Sequence, residues 1–378
     1  MALLTLNINK ENTSMRYTAI YRALIALGLS LDFIGYSAQV FAAGSSPPAV
    51  TAWVVNKNGV TGSSPDATLN SLAVQIPANV SSVSSTASKV YIQTSGVPSY
   101  PTGPFPGNPA YASNIQAIYG IPLNPQPNLS NTLTEVGLGA IGVFVNGVAI
   151  FSYADAFSYQ NQGVWHQDAN VFEGQSFDTA PGHPAPLRNA TTAVSGYLPG
   201  EYHHHQSPTS LREELGDDGT HHSPILGFAV DGYPIYGPYG YANPNGSGGL
   251  VRIKSSYSLR NMNDRTSLAD GTVLPASEDG PSIASVALGS YAEDYVYVKD
   301  SGHLDEHNGR FTVTPDYPNG TYAYFTTVDA NGKGVFPYFL GPTYYGVVAT
   351  QSSTAIPDHA APQAGGSGNG AGALLPHH

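Results

Sequence analysis

The 378-residue sequence contains no cysteine. This absence excludes disulfide bonds, metal sites built on thiolates, and catalysis by a thiol nucleophile. Basic residues are scarce too, because 14 Lys and Arg stand against 26 Asp and Glu, for a net charge of −12. Nucleic-acid binding needs a clustered basic face, and the sequence has no such cluster. Because the chain has no cysteine, any metal that it binds must use imidazole or oxygen ligands.

Long amphipathic helical patterns are also missing. Only 11% of the residues are charged, whereas 42 Gly, 30 Pro and 25 Tyr recur along the chain in short alternations of apolar and polar residues. Such alternations are typical of β-strands joined by turns. We predict an all-β or β-dominated, loop-rich, sandwich-like single domain with few short helices. A strand is predicted at residues 49–56, and short helices are predicted at Ser113–Tyr119 and Leu211–Leu215.

The first part of the chain has the pattern of an export signal. Two arginines precede an apolar run at residues 23–31, and small residues follow at Ala42 and Ala43. This pattern predicts a signal peptide with an N-terminal extension over residues 1–43, and hence a secreted or periplasmic protein. The apolar run is too short to cross a bilayer, so no membrane span is predicted.

The predicted β-rich domain spans residues 44–350. Asn146-Gly147 and Asp231-Gly232 each stand between apolar runs, which is a strong signal for a β-hairpin. Residues 158–208 have few periodic apolar positions and are predicted to form a loop, where functional groups often lie. Residues 351–378 are rich in Gly, Ala and Pro and are predicted to be disordered.

Histidines are concentrated in one part of the chain. Seven of the twelve lie between residues 166 and 222, and three follow one another in "EYHHHQSP". If that stretch is extended, His203 and His205 point to one face and His204 to the other. Two imidazoles on one face can chelate an ion, and His204 is predicted to be an exposed or packed neighbour. Other imidazoles available as ligands are those of His166, His183, His221 and His222.

Several longer motifs resemble those of the YHYH domain, a bacterial family named after a Tyr-His-Tyr-His motif. They are "EYHHHQSPTSL", "HHSPILGFAVDGYPIYGPYGY", "VNGVAIF", "GVWHQDANVF", "PGHP" and "SGHLDEHNGRF", and the likeness extends from about Val90 to Val348. The resemblance implies a secreted, periplasmic or lipoprotein-like β domain, with metal binding supposed from the histidines. Its chemistry is not implied.

The resemblance also implies which residues matter. Tyr202, His203 and His205 match the name motif, while His204 replaces its second tyrosine. The positions of His183, His222, Asp231 and Asp305 are also favoured by the family pattern. Family members often carry cysteines where this chain has Ala180 and His307, so neither a disulfide nor a thiol is implied here.

The first functional hypothesis is a metal-binding protein. Imidazole nitrogen suits copper and zinc. Asp231 can accept a hydrogen bond from a ligating ring, or it can simply form the Asp-Gly turn. The segment around Asp305 offers oxygen ligands for calcium, or it can be a solvated turn. The predicted ligands are His183, His203, His205, His222, Asp231 and Asp305.

Two other functions stay open. A metal-dependent hydrolase or oxidase would use Glu173, Asp178 or Asp305 as a base or proton shuttle. An extracellular structural module would use its tyrosines to contact carbohydrate or a cell-surface partner. Motifs for phosphate or dinucleotide binding, a zinc-protease HExxH and a GxSxG nucleophile elbow are all absent from the sequence.

Overall fold

The computed structural model of the protein describes residues 46–62, 75–188, 190–191, 196–348 and 360–362. The strands are β1 Thr61–Gly62, β2 Ile76–Pro77, β3 Val80–Ser85, β4 Lys89–Thr94, β5 Ala110–Ala112, β6 Ala117–Pro122, β7 Ala140–Phe144, β8 Ala149–Phe151, β9 Ala154–Ser158, β10 His166–Asp168, β11 His183–Pro186, β12 Leu198–His204, β13 Ile225–Ala229, β14 Pro234–Tyr236, β15 Tyr239–Tyr241, β16 Leu250–Arg252, β17 Tyr257–Leu259, β18 Tyr295–Tyr297, β19 Gly309–Thr312, β20 Thr321–Phe325 and β21 Ala361–Pro362. The α-helices of the described part are α1 Pro48–Thr51, α2 Ala169–Phe172 and α3 Thr209–Glu214. Short 3-10 turns lie at Tyr159–Asn161, Gly174–Ser176 and Ala292–Asp294.

Two larger sheets dominate the fold. The main sheet has the strand order β11-β12-β8-β7-β13-β14-β20-β19, and β5 pairs with β12 outside this path. The smaller sheet has the order β21-β3-β4-β6. Buried apolar side chains of both sheets belong to one core, for example Ile92 and Ile121 from the smaller sheet and Val143 and Phe228 from the main sheet. The prediction of a β-dominated fold with few short helices is confirmed.

Both predicted hairpins are present in the main sheet. Asn146-Gly147 joins β7 to β8, and Asp231-Gly232 joins β13 to β14. Gly147 has a φ of 81° and Gly232 a φ of 96°, a left-handed conformation that glycine adopts without steric cost. The Asn-Gly and Asp-Gly dipeptides therefore predict these turns, because the requirement for glycine comes from the local backbone conformation.

Three local predictions are wrong. The strand predicted at residues 49–56 begins instead as α1, with proline in its first turn and the Trp53 indole donating to the carbonyl of Ala49 at 2.7 Å. The helix predicted at Ser113–Tyr119 is replaced by β6, which pairs with β4 along its whole length. The loop predicted at residues 158–208 contains β11 and β12 of the main sheet. In the last two cases, pairing with distant strands outweighs the local pattern.

The predicted helix at Leu211–Leu215 is confirmed by α3, which begins two residues earlier and ends one residue earlier. The predicted signal peptide lies outside the described residues. So does the predicted tail, apart from residues 360–362, of which Ala361 pairs with Ser85 of β3. No helix in the described part of the chain is long and apolar enough to cross a membrane.

Candidate metal centre

The site is built on β12, which lies between β11 and β8 in the main sheet. In the antiparallel β11–β12 ladder His183 is the direct partner of His203. Directly opposed residues of two strands point to the same face, as do residues two apart on one strand. His203 lies near the end of β12 and His205 follows it by two positions. The pairing therefore brings His183, His203 and His205 together.

The three imidazoles meet through their Nε2 edges. The Nε2 atoms of His203 and His205 are 2.9 Å apart, and ligand atoms of all three rings lie within 4.8 Å of one another. Ligands about 2.0–2.1 Å from one tetrahedral zinc ion lie roughly 3.3 Å from each other. The spacing thus fits a single ion. Among the described residues, this is the only group of three or more His, Cys, Asp and Glu side chains gathered so closely.

Glu173 adds a carboxylate to this group. Its Oε2 is 3.4 Å from Nε2 of His183 and 3.3 Å from Nε2 of His205. The residue directly follows α2, whose first turn is capped by Asp168 accepting from the backbone N–H of Asn170 at 2.9 Å. Tyr338 donates to the other oxygen of Asp168 at 2.7 Å, which fixes the cap in the core. A capped helical turn therefore delivers Glu173 to the histidines.

Hydrogen bonds at the opposite ring nitrogens determine which nitrogen faces the centre. Nδ1 of His203 lies 3.0 Å from the carbonyl of Glu201, and Nδ1 of His205 lies 2.5 Å from the carbonyl of Ser152. A carbonyl can only accept, so both Nδ1 atoms carry the proton. In the neutral rings, Nε2 then presents a lone pair to the centre, as a metal ligand requires.

His183 is held in the same tautomer by Ser176. The hydroxyl of Ser176 donates to the carbonyl of Glu173 at 2.8 Å, and its oxygen lies 2.6 Å from Nδ1 of His183. Because the single hydroxyl proton is used on the carbonyl, Nδ1–H of His183 donates to the Ser176 oxygen. Ser176 thus orients the third imidazole with its Nε2 lone pair toward the other two.

The three histidines and Glu173 do not balance one another's lone pairs and charge. Burial lowers the pKa of His183 and lowers that of His203 well below the usual range, so both rings are neutral at neutral pH. Burial acts to raise the pKa of Glu173, and hydrogen bonds donated by Nε2 of His183 and His205 lower it to about 2 when these rings are protonated. When the rings are neutral with the proton on Nδ1, their Nε2 lone pairs and the Glu173 carboxylate converge on one point. A bound cation is the simplest way to stabilise such an arrangement.

The group opens onto a cavity of about 580 Å³. All three histidines and Glu173 line it, although each histidine is at most 5% exposed. Phe151 stacks on the ring of His203 with 3.8 Å between centroids, and it also meets the edge of His205. The imidazoles are thus held by aromatic packing on one side and face a space large enough for a small ligand on the other.

His204 lies on the opposite face of β12 and is fully buried. Its Nδ1 donates to the carbonyl of Pro181 at 2.8 Å, and the Tyr100 hydroxyl donates to its Nε2 at 3.0 Å. Burial lowers the pKa of His204 to about 3. Of the two alternatives predicted for His204, the structure therefore has the packed neighbour.

His222 is not brought to this group. Its ring contacts Tyr236, Tyr241 and Phe325, and its Nδ1 donates to the carbonyl of Ser223 at 2.8 Å. Its neighbour in the sequence, His221, has a side chain that is 84% exposed. His222 therefore lies beside β14 and β20, away from the three-histidine group.

Asp231 and Asp305 are also placed elsewhere. Asp231 is buried in its hairpin turn and accepts from the Tyr324 hydroxyl at 2.7 Å and the Gly346 N–H at 2.9 Å. Asp305 accepts from the Tyr322 hydroxyl at 2.9 Å and organises a turn through the backbone N–H groups of residues 307 and 309. Both carboxylates are engaged in holding loops on the sheet.

Asp178, predicted as a base or proton shuttle, is similarly engaged. It accepts from the Tyr202 hydroxyl at 2.8 Å and from the backbone N–H groups of residues 103, 180 and 182. These contacts shape the loop before β11. Glu173 is the residue of the predicted base set that contacts the histidines, through Oε2 and the Nε2 atoms of His183 and His205. The sequence signal that could have indicated the position of Glu173 is Asp168, the helix cap five residues before it.

Burial of Asp231 gives a pH-dependent prediction. Burial outweighs three donated hydrogen bonds and raises the pKa of Asp231 to about 6, against about 3.9 in an unfolded chain. The native state therefore keeps a proton that the unfolded state releases between about pH 4 and pH 6, so the contribution of Asp231 to the unfolding free energy falls as pH rises through this window. Relative to Asp231→Asn, the wild type should lose up to about 3 kcal/mol from about pH 4 to pH 7 in urea unfolding. An unchanged difference between the two proteins at the two pH values would contradict this.

A β-dominated domain with a buried three-histidine group is thus the class of protein that fold and site define. The family model for YHYH proteins matches residues 118–335, which is more than half of the chain. The chain belongs to the YHYH protein family, as its motifs predict. No curated protein and no solved structure gives a significant match.

Proposed function

We propose that this protein binds one divalent transition-metal ion, zinc or copper, through Nε2 of His183, His203 and His205, with Glu173 as a further ligand. The observation that carries the proposal is the convergence of three imidazoles whose opposite nitrogens are all hydrogen-bonded as donors. Imidazole suits both metals, and three protein nitrogens with an additional oxygen or an open position are common at zinc and copper centres.

Elemental analysis tests this proposal. The full chain is stripped with a chelator, reloaded with zinc or copper, and dialysed. We expect one ion per chain to remain. His222→Gln serves as the matched control, because His222 is a partly buried histidine that does not contact the group. The control should retain one ion, and a wild type that retains neither metal would contradict the proposal.

The cavity beside the histidines favours a second candidate function, a metal-dependent hydrolase or oxidase. A divalent ion at this position supplies Lewis acidity, and the cavity gives a small molecule access to it. Turnover that is lost on metal removal and restored on reloading would support this candidate. Stoichiometric metal without turnover of hydrolase or oxidase substrates would leave metal binding as the function.

Export is part of the proposal and is supported by the leader pattern of residues 1–43. A mature N-terminus close to Gly44, found by mass spectrometry of the protein isolated from its natural host, would agree with it. Protein isolated from the host that still carries residues 1–43 would contradict it.

A further inference from the structure

A second cavity of about 670 Å³ adjoins the cavity at the metal centre. The two spaces share part of their walls, so they form neighbouring compartments of one depression. The shared residues are Leu138, Ala154, Asp155, Ala156 and Phe157. Four of these five residues belong to β9.

Negative charge predominates along both compartments. Their walls contain four carboxylates and, among the described residues, neither lysine nor arginine. The one imidazole outside the metal centre is His166, whose Nδ1 lies 2.5 Å from a carboxylate oxygen of Glu293. The four acidic residues are Glu135, Asp155, Glu173 and Glu293. Such a lining disfavours anionic ligands and attracts cations.

Asp155 is the carboxylate that faces both compartments. Asp155 is only 6% exposed. Within the described chain it accepts one hydrogen bond, at Oδ1 from the backbone N–H of Phe157 at 2.6 Å. Burial raises its pKa to about 6, so it is mainly ionised at pH 7.5. Asp155 lines both cavities and uses only Oδ1 on a backbone donor, so a charged donor in the cavity can form a strong hydrogen bond with the carboxylate.

An apolar surface flanks this carboxylate. Phe157 is 57% exposed and Leu138 is 51% exposed, and both line both compartments. Large apolar side chains that stay exposed beside a concave polar group are a common feature of small-molecule sites. The combination of one buried anion with an apolar wall selects a ligand that is cationic at one end and apolar at the other.

We propose that the two compartments form a binding site for a small organic amine, whose ammonium group donates to Asp155 and whose apolar body packs on Leu138 and Phe157. This site goes beyond the proposed metal binding and does not depend on which ion the histidines hold. A neutral polyol would lack the charge, and a carboxylate-bearing ligand would meet repulsion from the acidic lining.

Calorimetry with simple probes tests the inference. Benzylamine is compared with benzyl alcohol, which has a nearly identical shape and no charge at pH 7.5, and with benzoate. The full chain is used after chelator treatment, so that the amine cannot coordinate a metal, and again after zinc loading. We expect benzylamine to bind at least about 10-fold more tightly than benzyl alcohol in both states, as for a charge-assisted hydrogen bond. In the metal-free protein, benzoate should bind most weakly.

Substitution at the carboxylate provides the decisive comparison. Asp155→Asn keeps an oxygen for the Phe157 N–H and should remove the preference for the amine. Asp270→Asn is the matched control, because Asp270 accepts the backbone N–H two residues on in the same way, at 2.9 Å from Thr272, and lines neither compartment. It should leave the preference intact. Thermal melting of each variant checks that the fold is retained.

Several outcomes would overturn the inference. These are no benzylamine binding at millimolar concentration, equal affinity for amine and alcohol, tighter binding of a neutral sugar than of the amine, or a preference that survives Asp155→Asn. Amine binding is measured in metal-free protein, so it can be observed even if the protein binds no metal. Metal binding can likewise be observed even if the amine does not bind. The two proposals are therefore tested separately.

Discussion

Replacing both His203 and His205 by alanine is expected to abolish stoichiometric zinc or copper binding. The double variant loses two of three imidazole ligands and leaves His183 and Glu173 too few to fix an ion. Loss of a group that only orients a ligand typically costs 10–100-fold in affinity, so loss of two ligands should cost at least about 10⁴-fold. Competition with a chromogenic chelator measures this directly.

Both imidazoles are buried, so the double variant also risks losing stability. Two milder variants keep the test informative. Glu173→Gln preserves the shape of a side chain that is 33% exposed. Ser176→Ala removes the acceptor of the His183 Nδ1–H and the hydroxyl donor to the Glu173 carbonyl, and leaves all the proposed ligands in place. Each should lower metal affinity by about 10–100-fold while the fold is retained. Unchanged affinity in all three variants would rule out this centre.

Replacing Arg265 by methionine is expected to destabilise the fold by about 3–5 kcal/mol. Arg265 and Asp294 are at most 1% exposed and form two hydrogen bonds, of 2.7 and 2.8 Å. The guanidinium also donates to the carbonyls of Pro281, Val286 and Ala287. Without it, Asp294 remains as a buried charge that has lost its cationic partner among the described residues, and three carbonyls lose a donor.

Urea unfolding monitored by tryptophan fluorescence measures this effect, since the buried Trp165 lies against Gly280 beside Arg265. His221→Ala is a suitable control, because both His221 and Asp218 are widely exposed and their nearest atoms, Nδ1 and Oδ1, are 4.0 Å apart. The control should unfold at the wild-type midpoint. A wild-type midpoint for Arg265→Met would show that the buried pair contributes no net stability. Arg265 lines neither compartment, so metal binding by the folded variant should be unchanged.

Local chemistry accounts for the features that could be predicted from sequence. The hairpins at residues 146–147 and 231–232 follow from the need for glycine at positive φ. The common face of His203 and His205 follows from the two-residue period of a strand. The β-dominated fold follows from composition and alternation, and the family follows from the motifs around these histidines. Each of these inferences needs only neighbouring residues.

The composition of the candidate metal centre required the tertiary structure. His183 and His222 had equal standing as predicted ligands, but the register of β11 against β12 places His183 opposite His203, while His222 packs among aromatic side chains at β14 and β20. Register between distant strands depends on how all the strands pack together, which no short motif encodes.

Glu173 and Asp155 illustrate the same limit. Glu173 reaches the histidines only because the capped turn α2 is anchored by Tyr338, far along the chain. Asp155 becomes a carboxylate that lines two neighbouring cavities only in the folded chain. The sequence by itself determined the turns, the strand period and the family. Only the tertiary structure decided which imidazoles and carboxylates share one site, because burial and distance arise from long-range packing.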